Sequence, residues 1–487
     1  MNRHVLEFAA KKYGGSFSAD YYSRYIELWA AWWRGYHKPF HRFRMNNGIK
    51  VIERDIYSLG MAKKVCEDWA SVLLNEKTHV KISDERASEF IQGKRETGGV
   101  FKNCHFWVNA NRLIEKAFYS GTGAAVIRLK KAKNRDGQVE VHNSTQLCLE
   151  FVSAEYILPI SCQGGVITEA AFCSEHLVRG SNYVICQVHT LESDGYVIRN
   201  HCFCTDNGGF REAPLFDDIT AEFHTQEFYP WFSIISPNIE NNIPCSGGLG
   251  VSILHGAIDI LKGVDLAYNN LVKDFELGGK KVFMQKSLIE TTEDGVAVAP
   301  DDVGQQLFHY LPENLIPDSG APLIQEHNPL LRVTENKDGV QAQLDYLSFK
   351  CGLGNKHYQF NSGAVVTATQ YTGDKQDLIQ NAHKHYVSVE RFLISLVRSL
   401  IHIGNRYFSL GADENTDIEI IFDKSVIIDE AAERAQDIQD VRDGIMPKWQ
   451  YRSKWYGEDE QSARKIISEI EGGSEDEALM DFEDGEA

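Results

Sequence analysis

Apolar side chains recur at helical spacing in three stretches of the first 120 residues, over about 18–36, 56–75 and 103–120. The first stretch has a strongly aromatic face, formed by Tyr22, Tyr25, Ile26, Trp29, Trp32, Trp33 and Tyr36. Such a stripe can serve as a ligand platform, but large aromatic side chains more often supply core or subunit contacts. We therefore expect three N-terminal helices whose apolar faces are buried.

Between 123 and 224 the helical pattern gives way to short strand-like segments separated by turn residues. The pairs Asp136-Gly137, Gly164-Gly165 and Asp194-Gly195 are typical of hairpin turns. Helices combined with hairpin-connected strands predict an α+β fold.

A long helix is predicted from Ser252, a favourable N-cap, to Leu277, where Gly278-Gly279 ends it. Its length would be about 39 Å. Gly256 and Gly263 fall inside this prediction, seven residues apart and on one face. Two interpretations remain open, because such glycines are either tolerated at a cost of about 1 kcal/mol each or mark the close approach of another backbone.

A second helix is predicted from about 334 to 351, and the residues between the two helices differ in composition. Five of the twelve prolines fall in 280–331, among strand-like pieces at Val282–Met284, Val296–Ala299 and Leu307–Leu311. This pattern indicates a small module inserted between two helical stalks. Residues 352–373 then lack a core periodicity and contain four glycines, before another long helix over about 374–407.

The C-terminal part is charged. A strand is predicted at 418–422, and helices over 429–470 with a break at Gly444–Pro447. Residues 474–487 contain seven acidic and no basic residues, so we expect a disordered tail.

Composition bounds the class of protein. A chain of 487 residues predicts two to four domains, and 43% hydrophobic residues exclude a wholly disordered or fibrous protein. The net charge of −19 argues against tight nucleic-acid binding through the average surface. Dispersed cysteines and the lack of a signal peptide or membrane span favour a reduced, intracellular protein.

Sequence motifs for catalysis are absent: we find no phosphate-binding G-x-x-x-x-G-K-[ST], no G-x-S-x-G and no H-E-x-x-H. The best metal candidate is the group Cys186, His189, His201, Cys202 and Cys204. Alternation along strands places these side chains on different faces, so buried strand thiols are the favoured interpretation. A basic run at 130–135 is interpreted as a solvated turn, and neither a metal nor a cofactor is expected.

The order and spacing of several segments resemble the portal proteins of long-tailed double-stranded-DNA bacteriophages that infect Gram-positive bacteria. The resemblance extends over about 20–470, and no single motif in it is catalytic. The matching segments are Leu59–Ser71, Leu74-Asn75-Glu76, Asn241-Asn242-Ile243, Gly250-Val251-Ser252, Ala257-Ile258-Asp259, Leu277–Phe283, Cys351–Gly354, Thr367–Gln370, Lys448–Arg452 and Trp455–Glu458.

The resemblance implies a non-enzymatic ring, usually of twelve subunits, at one vertex of the capsid. It also implies a division of the chain into a wing (1–245), stem helix 1 (246–278), a clip (279–330), stem helix 2 (331–351), a tunnel loop (352–373), a long helix and strand returning to the wing (374–428), a crown (429–473) and the tail (474–487).

Site residues and partners follow from the same resemblance. The tunnel loop would face DNA through Asn355, Lys356, His357, Tyr358, Gln359, Phe360, Asn361 and Ser362. Gly256 and Gly263 would form a stem-helix interface, and Lys280 and Lys281 would bind a partner at the clip. The implied partners are other copies of the chain, the terminase large subunit, a head–tail adaptor, scaffold and major capsid proteins, and duplex DNA passing without sequence specificity, with no membrane.

We expect such a protein in the virion, and in the host cytoplasm during assembly. Two alternatives remain: another structural protein of the virion or of head morphogenesis, and a metal-dependent nucleic-acid enzyme that uses the Cys186–Cys204 group.

Overall fold

The computed structural model describes most of the chain. The described ranges are 3–14, 19–46, 48, 50–75, 77–94, 98–135, 138–142, 144–206, 209–285, 308–311, 324–360, 368–422 and 430–470. The fold mixes helices with sheets whose described strand pairs are antiparallel, except for one parallel pair between Lys281–Gln285 and Phe308–Leu311, and this agrees with the α+β prediction. The chain divides into two compact units, of which the larger comprises Met1–Ser362 and Gln380–Phe422.

The larger unit begins with helices and short strands. These are α1 (Arg3–Tyr13), α2 (Ala19–Trp33), α3 (Lys38–His41), β1 (Arg42–Asn46), β2 (Val51–Asp55), α4 (Met61–Leu73), β3 (His79–Ile82), α5 (Glu85–Gln92), α6 (Val100–Asn103) and α7 (Phe106–Ser120). The three predicted helices correspond to α2, α4 and α7. Tyr22, Ile26, Trp29 and Trp32 are buried, so the core interpretation holds for these four residues of the stripe, whereas Tyr36 is 42% exposed.

Eleven strands follow in the described part of the chain, with one short 3₁₀ turn (Ala154–Tyr156) among them. The strands are β4 (Gly123–Lys130), β5 (Lys133–Arg135), β6 (Gln138–Glu140), β7 (Gln146–Ser153), β8 (Ile157–Gln163), β9 (Val166–Val178), β10 (Ser181–Glu192), β11 (Gly195–Cys204), β12 (Arg211–Ala213) and β13 (Glu222–His224), and β14 (Phe232–Ile235) completes the region. One sheet has the order β12-β11-β10-β9-β8 with β13 beside β11, and a second has the order β14-β4-β7. The predicted turns at Gly164-Gly165 and Asp194-Gly195 join β8 to β9 and β10 to β11, whereas Asp136-Gly137 lies outside the described residues.

The large sheet buries both faces. One face packs with α2 and with the smaller sheet through side chains that include Trp29, Phe172 and Phe232. The other face packs against α1, where Val5 and Ala9 are fully buried.

The first long helix is shorter than the sequence predicts. α8 spans Ile258–Leu277 and is preceded by a 3₁₀ turn at His255–Ala257. Ser252 is not its N-cap, because the Ser252 hydroxyl donates to the carbonyl of Phe118 and accepts from the backbone N–H of Leu254. These bonds hold residues 252–257 outside the helix.

The region after α8 agrees with an inserted module. β15 (Lys281–Gln285), β16 (Phe308–Leu311) and β17 (Ile324–His327) form a three-stranded sheet with β15 in the centre. The predicted piece Val296–Ala299 lies outside the described residues. α9 (Val333–Lys350) then returns antiparallel to α8.

α10 spans Ala368–Phe408 and starts before the predicted residue 374. The expectation of a structureless segment through 373 is therefore wrong at its C-terminal end, because Ala368–Gly373 is helical. β18 (Ile418–Ile421) pairs with β3, as predicted for a strand at this position. Among the described residues, no helix is both long and apolar enough to cross a bilayer.

The smaller unit comprises Gly363–Ile379 and Asp423–Ala487. It contains α11 (Glu430–Arg442), α12 (Lys448–Tyr456) and a helix over 460–470. Asp437 joins the first two helices, since it accepts from Trp455 Nε1 at 2.7 Å and pairs with Lys454 Nζ at 2.6 Å. The acidic tail lies outside the described residues.

Candidate functional site

The antiparallel pair of α8 and α9 forms the framework of the candidate site. Contacts across the pair follow one register, in which the two residue numbers keep a constant sum: Gly256 with Lys350, Gly263 with Gln343, and Asp274 with Arg332. Because the sum stays constant from Gly256 to Asp274, the two antiparallel segments keep the same register over this length. The sheet of β15, β16 and β17 is inserted at the end of the pair marked by Asp274.

Both predicted interface glycines face α9 of the same subunit. A Cβ at Gly263 would lie 2.4 Å from Gln343 Oε1, and one at Gly256 would lie 3.0 Å from Lys350 Cε. These atoms are the ends of flexible side chains, so the expected close approach of another backbone does not occur within the subunit. Gly256 lies in the 3₁₀ turn, which leaves Gly263 as the glycine inside α8.

Asp274, near the end of α8, accepts hydrogen bonds from residues at the start of α9, next to the inserted sheet. Its carboxylate accepts from the backbone N–H of Arg332 at 2.8 Å, from Arg332 Nη2 at 3.1 Å and from Asn336 Nδ2 at 3.1 Å. The bond from the Arg332 backbone, followed by that from its guanidinium, holds the pKa of Asp274 below its ordinary value. Arg332 is the N-cap residue of α9 and has no local side-chain cap, so Asp274 supplies one from α8.

The two lysines predicted to bind a partner begin the inserted sheet. Lys280 Nζ pairs with Glu326 Oε1 at 2.6 Å, and both side chains are half-exposed. Lys281 is the first residue of β15 and is in register with His327 of β17. The structure thus places both lysines at the junction between α8 and the sheet.

Large apolar side chains remain exposed along the framework. On α9 one face at spacings of three and four residues consists of Gly339, Ala342, Tyr346 and Phe349. Tyr346 is 62% exposed and Phe349 is 61% exposed. On α8 the exposed apolar side chains are Leu266, Phe275 and Leu277. Scattered apolar residues are ordinary on a surface, whereas a stripe along one helix is typical of an interaction surface.

A buried polar cluster fixes α8 to the N-terminal part of the unit. Asp265, in the middle of α8, accepts from His41 Nε2 at 2.9 Å, from the Ser58 hydroxyl at 3.0 Å and from the backbone N–H of Leu59 at 2.8 Å. The side chains of His41 and Asp265 are 0% and 5% exposed. A buried carboxylate needs partners of this kind to offset its desolvation.

His41 Nδ1 lies near two backbone groups of His37, its carbonyl at 3.2 Å and its N–H at 2.8 Å, and the shorter contact favours Nδ1 as an acceptor. Because Nδ1 accepts from this N–H, Nε2 carries the hydrogen that is donated to Asp265. Ser58 donates to the carboxylate and not to the imidazole. The cluster therefore differs from a Ser-His-Asp catalytic arrangement, in which the imidazole accepts the serine proton, and its role is to join elements.

α9 ends in a Schellman motif that starts the predicted tunnel loop. The backbone N–H of Leu353 donates to Ser348 O at 2.9 Å, and that of Gly352 donates to Phe349 O at 3.1 Å. Gly352 has φ +77°, which favours glycine, and a Cβ there would lie 3.5 Å from Trp69 Cζ2. Trp69 of α4 also donates from Nε1 to the carbonyl of Cys351 at 3.0 Å.

Asp68, the neighbour of Trp69 on α4, contacts the next part of the same segment. Its carboxylate accepts from the Tyr358 hydroxyl at 2.8 Å and lies 3.6 Å from His357 Nε2, and it also pairs with Lys64. Burial raises the pKa of Asp68, but the bonds from His357, Lys64 and Tyr358 more than offset this and leave it below its ordinary value. Burial and the Asp68 charge raise the pKa of Tyr358.

The eight residues predicted to face DNA fall into three groups. Asn355, Lys356, Gln359 and Phe360 are exposed. His357 and Tyr358 contact Asp68; Tyr358 is buried, whereas His357 is exposed as a residue and its side chain is 25% exposed. Asn361 and Ser362 lie outside the described residues.

The cysteine and histidine group between 186 and 204 is divided between two faces of the large sheet. Cys186 is in register with His201 on the face that packs against α1, whereas His189, Cys202 and Cys204 belong to the opposite face. Cys186, Cys202 and Cys204 are buried free thiols, in agreement with the favoured interpretation.

Another group of possible metal ligands lies nearby. Within the described part of the chain, Glu192, Asp194 and His224 are the set of three such side chains whose ligand atoms lie within 4.8 Å of one another. Glu192 also accepts a bond of 2.8 Å from Arg199, and Arg199 lies 3.2 Å from Glu222. This fixed guanidinium charge opposes the binding of a cation.

Sequence reasoning did not identify Asp68, His41 or Asp265. Their partners are far away in the chain, 224 positions for the His41–Asp265 pair and 290 for the Asp68–Tyr358 pair. One signal was available for Asp265, because it follows Val264 in the buried stripe of α8, where a charged residue requires a partner.

Comparisons with known proteins assign no family. No family model matches the chain, and no curated protein matches it. Among solved structures, the chain is similar to one in the virion of a native gene transfer agent particle, with 12% identity over 80% of this chain and 88% of that chain and a TM-score of 0.39. It is also similar to one in the neck of an empty gene transfer agent particle computed with C6 symmetry, with 12% identity over 80% of this chain and 87% of that chain and a TM-score of 0.37. Neither likeness gives this chain a function.

Proposed function

We propose that this chain is the subunit of a phage-type portal, a ring of about twelve copies at one capsid vertex through which duplex DNA passes during packaging and ejection. The observation that carries the proposal is the order of elements: an antiparallel helix pair with a small sheet inserted at its end, a short tethered segment, and a helix of 41 residues. This order matches the stem, clip and tunnel loop implied by the sequence resemblance.

Exposed apolar side chains on α8 and α9 support the proposed ring. A closed ring repeats one heterologous contact, so one face of each subunit must fit a different face of the next. The exposed apolar side chains on α9, above all Tyr346 and Phe349, and those on α8, such as Leu266, supply two such faces. Burying them between copies would remove apolar surface that water otherwise contacts.

Charge supports a conduit rather than a DNA-binding protein. Each subunit carries a formal charge of −19, and a ring multiplies it. An acidic wall repels phosphate and allows the duplex to slide, while a few exposed tips such as Lys356 make brief phosphate contacts. The tunnel-loop assignment of residues 355–362 belongs to this proposal.

The partners belong to it as well. The inserted sheet, with Lys280 and Lys281 at its base, is the proposed docking site for the terminase large subunit during packaging and for the head–tail adaptor afterwards. Scaffold and major capsid proteins are the proposed partners at the capsid vertex. The ring itself is proposed to lack ATPase and nuclease activity, and turnover of ATP that co-purifies with the protein through several columns would contradict this.

The test is the assembly state of the purified full-length protein. Negative-stain microscopy and native mass spectrometry should detect rings with an axial hole. Tyr346→Asp combined with Phe349→Asp should shift the protein toward monomers, because two charges would be buried at the interface. Leu177→Asp is the matched control, since Leu177 is 72% exposed on β9 and should leave rings intact. Monomers or dimers alone across a range of salt and protein concentrations would refute the proposal.

A further inference from the structure

The segment after α9 is tied to α4 at two consecutive residues. Trp69 donates to the carbonyl of Cys351 at the start of the segment, and Asp68 accepts from the hydroxyl of Tyr358 seven residues later. Gln341 adds a contact with α9, since its Nε2 donates to the carbonyl of Tyr358 at 2.8 Å. The segment is thus anchored at Cys351, where it begins, and at Tyr358.

We infer that Asp68 is a positioning residue that holds residues 355–360 against α4 and so determines which of their side chains are presented for binding. While Asp68 holds His357 and Tyr358, the side chains presented in full are Asn355, Lys356, Gln359 and Phe360, and the His357 side chain stays 25% exposed. That the presented side chains contact DNA rests on the proposed function, whereas the role of Asp68 in holding the segment against α4 does not.

The contacts explain why the carboxylate matters. Tyr358 is 9% exposed, so its hydroxyl depends on Asp68 as acceptor, and a buried hydroxyl that loses its acceptor is destabilised. His357 lies 3.6 Å from the same carboxylate oxygen, and Lys64 pairs with the other oxygen. Asp68 therefore contacts both anchored residues through one carboxylate.

Lys356 makes the segment testable by proteolysis. It is exposed, and its φ of +64° keeps the backbone in a left-handed conformation. A protease requires an extended stretch of several residues, so trypsin should cleave after Lys356 only when the segment is released from α4.

The experiment compares four variants of the full-length protein in whatever assembly state it adopts, and the fourth, Asp68→Glu, tests rescue. Asp68→Asn removes the charge, and Tyr358→Phe removes only the hydroxyl and keeps the ring. Glu67→Gln is the matched control, because Glu67 is the neighbour of Asp68 on α4 and pairs with Lys63 as Asp68 pairs with Lys64. The readouts are amide hydrogen exchange of residues 352–360 and the rate of tryptic cleavage after Lys356.

Asp68→Asn and Tyr358→Phe should each raise both rates by about tenfold, whereas Glu67→Gln and the exchange of β9 and β10 should stay unchanged. Asp68→Glu keeps a carboxylate acceptor and should restore part of the protection. A merely structural role would alter β9 and β10 together with the segment, and that result would overturn the inference. Equal rates in wild type, Asp68→Asn and Tyr358→Phe would overturn it too, whether or not the protein forms rings.

Discussion

Asp265 is the residue whose replacement should damage the framework most. Asp265→Asn keeps the size of the side chain but puts an amide where a carboxylate accepts three hydrogen bonds. The amide oxygen can still accept from the backbone N–H of Leu59. The amide nitrogen then faces the N–H of His41, and two donors cannot bond to each other.

The magnitude follows from the groups left unpaired. His41 cannot change its tautomer without cost, because its Nδ1 already accepts from the backbone N–H of His37. Its buried N–H therefore loses its acceptor, which costs about 1–3 kcal/mol, and the bond from the Ser58 hydroxyl contributes about 1 kcal/mol. We expect Asp265→Asn to destabilise the contact between α8 and residues 56–60 by about 2–4 kcal/mol.

Amide exchange of residues 37–60 and of α8 measures this directly in a protein too large for a single two-state transition. A loss of 2 kcal/mol corresponds to about a thirtyfold increase in exchange of the most protected amides. Asp259→Asn is the control on the same helix, since the Asp259 side chain is 92% exposed and pairs with Lys262. Asp259→Asn should change the free energy of amide exchange by less than about 0.5 kcal/mol. The same small change in both variants would refute the assignment of Asp265 as a buried anchor.

Three further predictions follow from the sequence and the structure. Gly263→Ala should stabilise α8 by up to about 1 kcal/mol, because only the Gln343 side chain must move. Gly263→Leu should cost about 1–3 kcal/mol of stability and loosen any ring. Thermal unfolding measures the stability of both variants, and native mass spectrometry measures assembly. The lowered pKa of Asp274 means that its contribution to stability is present above about pH 4 and is lost as pH falls through the folded pKa. Urea unfolding between pH 5 and 3 should therefore be less pH-dependent in Asp274→Asn than in wild type. Deleting 474–487 should leave assembly intact, since the segment has few apolar side chains to bury, and a deletion variant that stays monomeric would contradict this.

Periodicity predicted the elements of the framework better than their ends. α8, α9, the sheet inserted between them and α10 were predicted, because each has a sustained apolar pattern or a cluster of prolines. The start of α8 was misplaced by six residues. Ser252 has the right residue type for an N-cap, but its hydroxyl bonds to Phe118, 134 positions earlier, and no local pattern reveals such a partner.

The candidate site was predicted less completely. Glycines and the lack of periodicity identified the segment after α9, and the Schellman motif at Gly352 agrees with that composition. The same reasoning treated His357 and Tyr358 as free to contact a ligand. Their contact with Asp68 depends on how α4 packs beside the end of α9, and sequence spacing contains no information on that packing.

The anchors on either side of α4 suggest a final prediction, that α8 and residues 352–360 are coupled. Asp265 of α8 holds Ser58 and Leu59, which lead directly into α4, and Asp68 of α4 holds Tyr358. A displacement of α8 should therefore reach residues 352–360 through a single rigid helix.

Coupling through such a contact chain amounts to about 0.5–2 kcal/mol, so Asp265→Asn should raise amide exchange of 352–360 by about twofold to thirtyfold, and Asp259→Asn should not. The double variant Asp265→Asn with Asp68→Asn tests the route, because once Asp68 no longer holds the segment, the effect of Asp265 on it should disappear. If the two effects instead add to within about 0.5 kcal/mol, the sites are independent and α4 does not connect them.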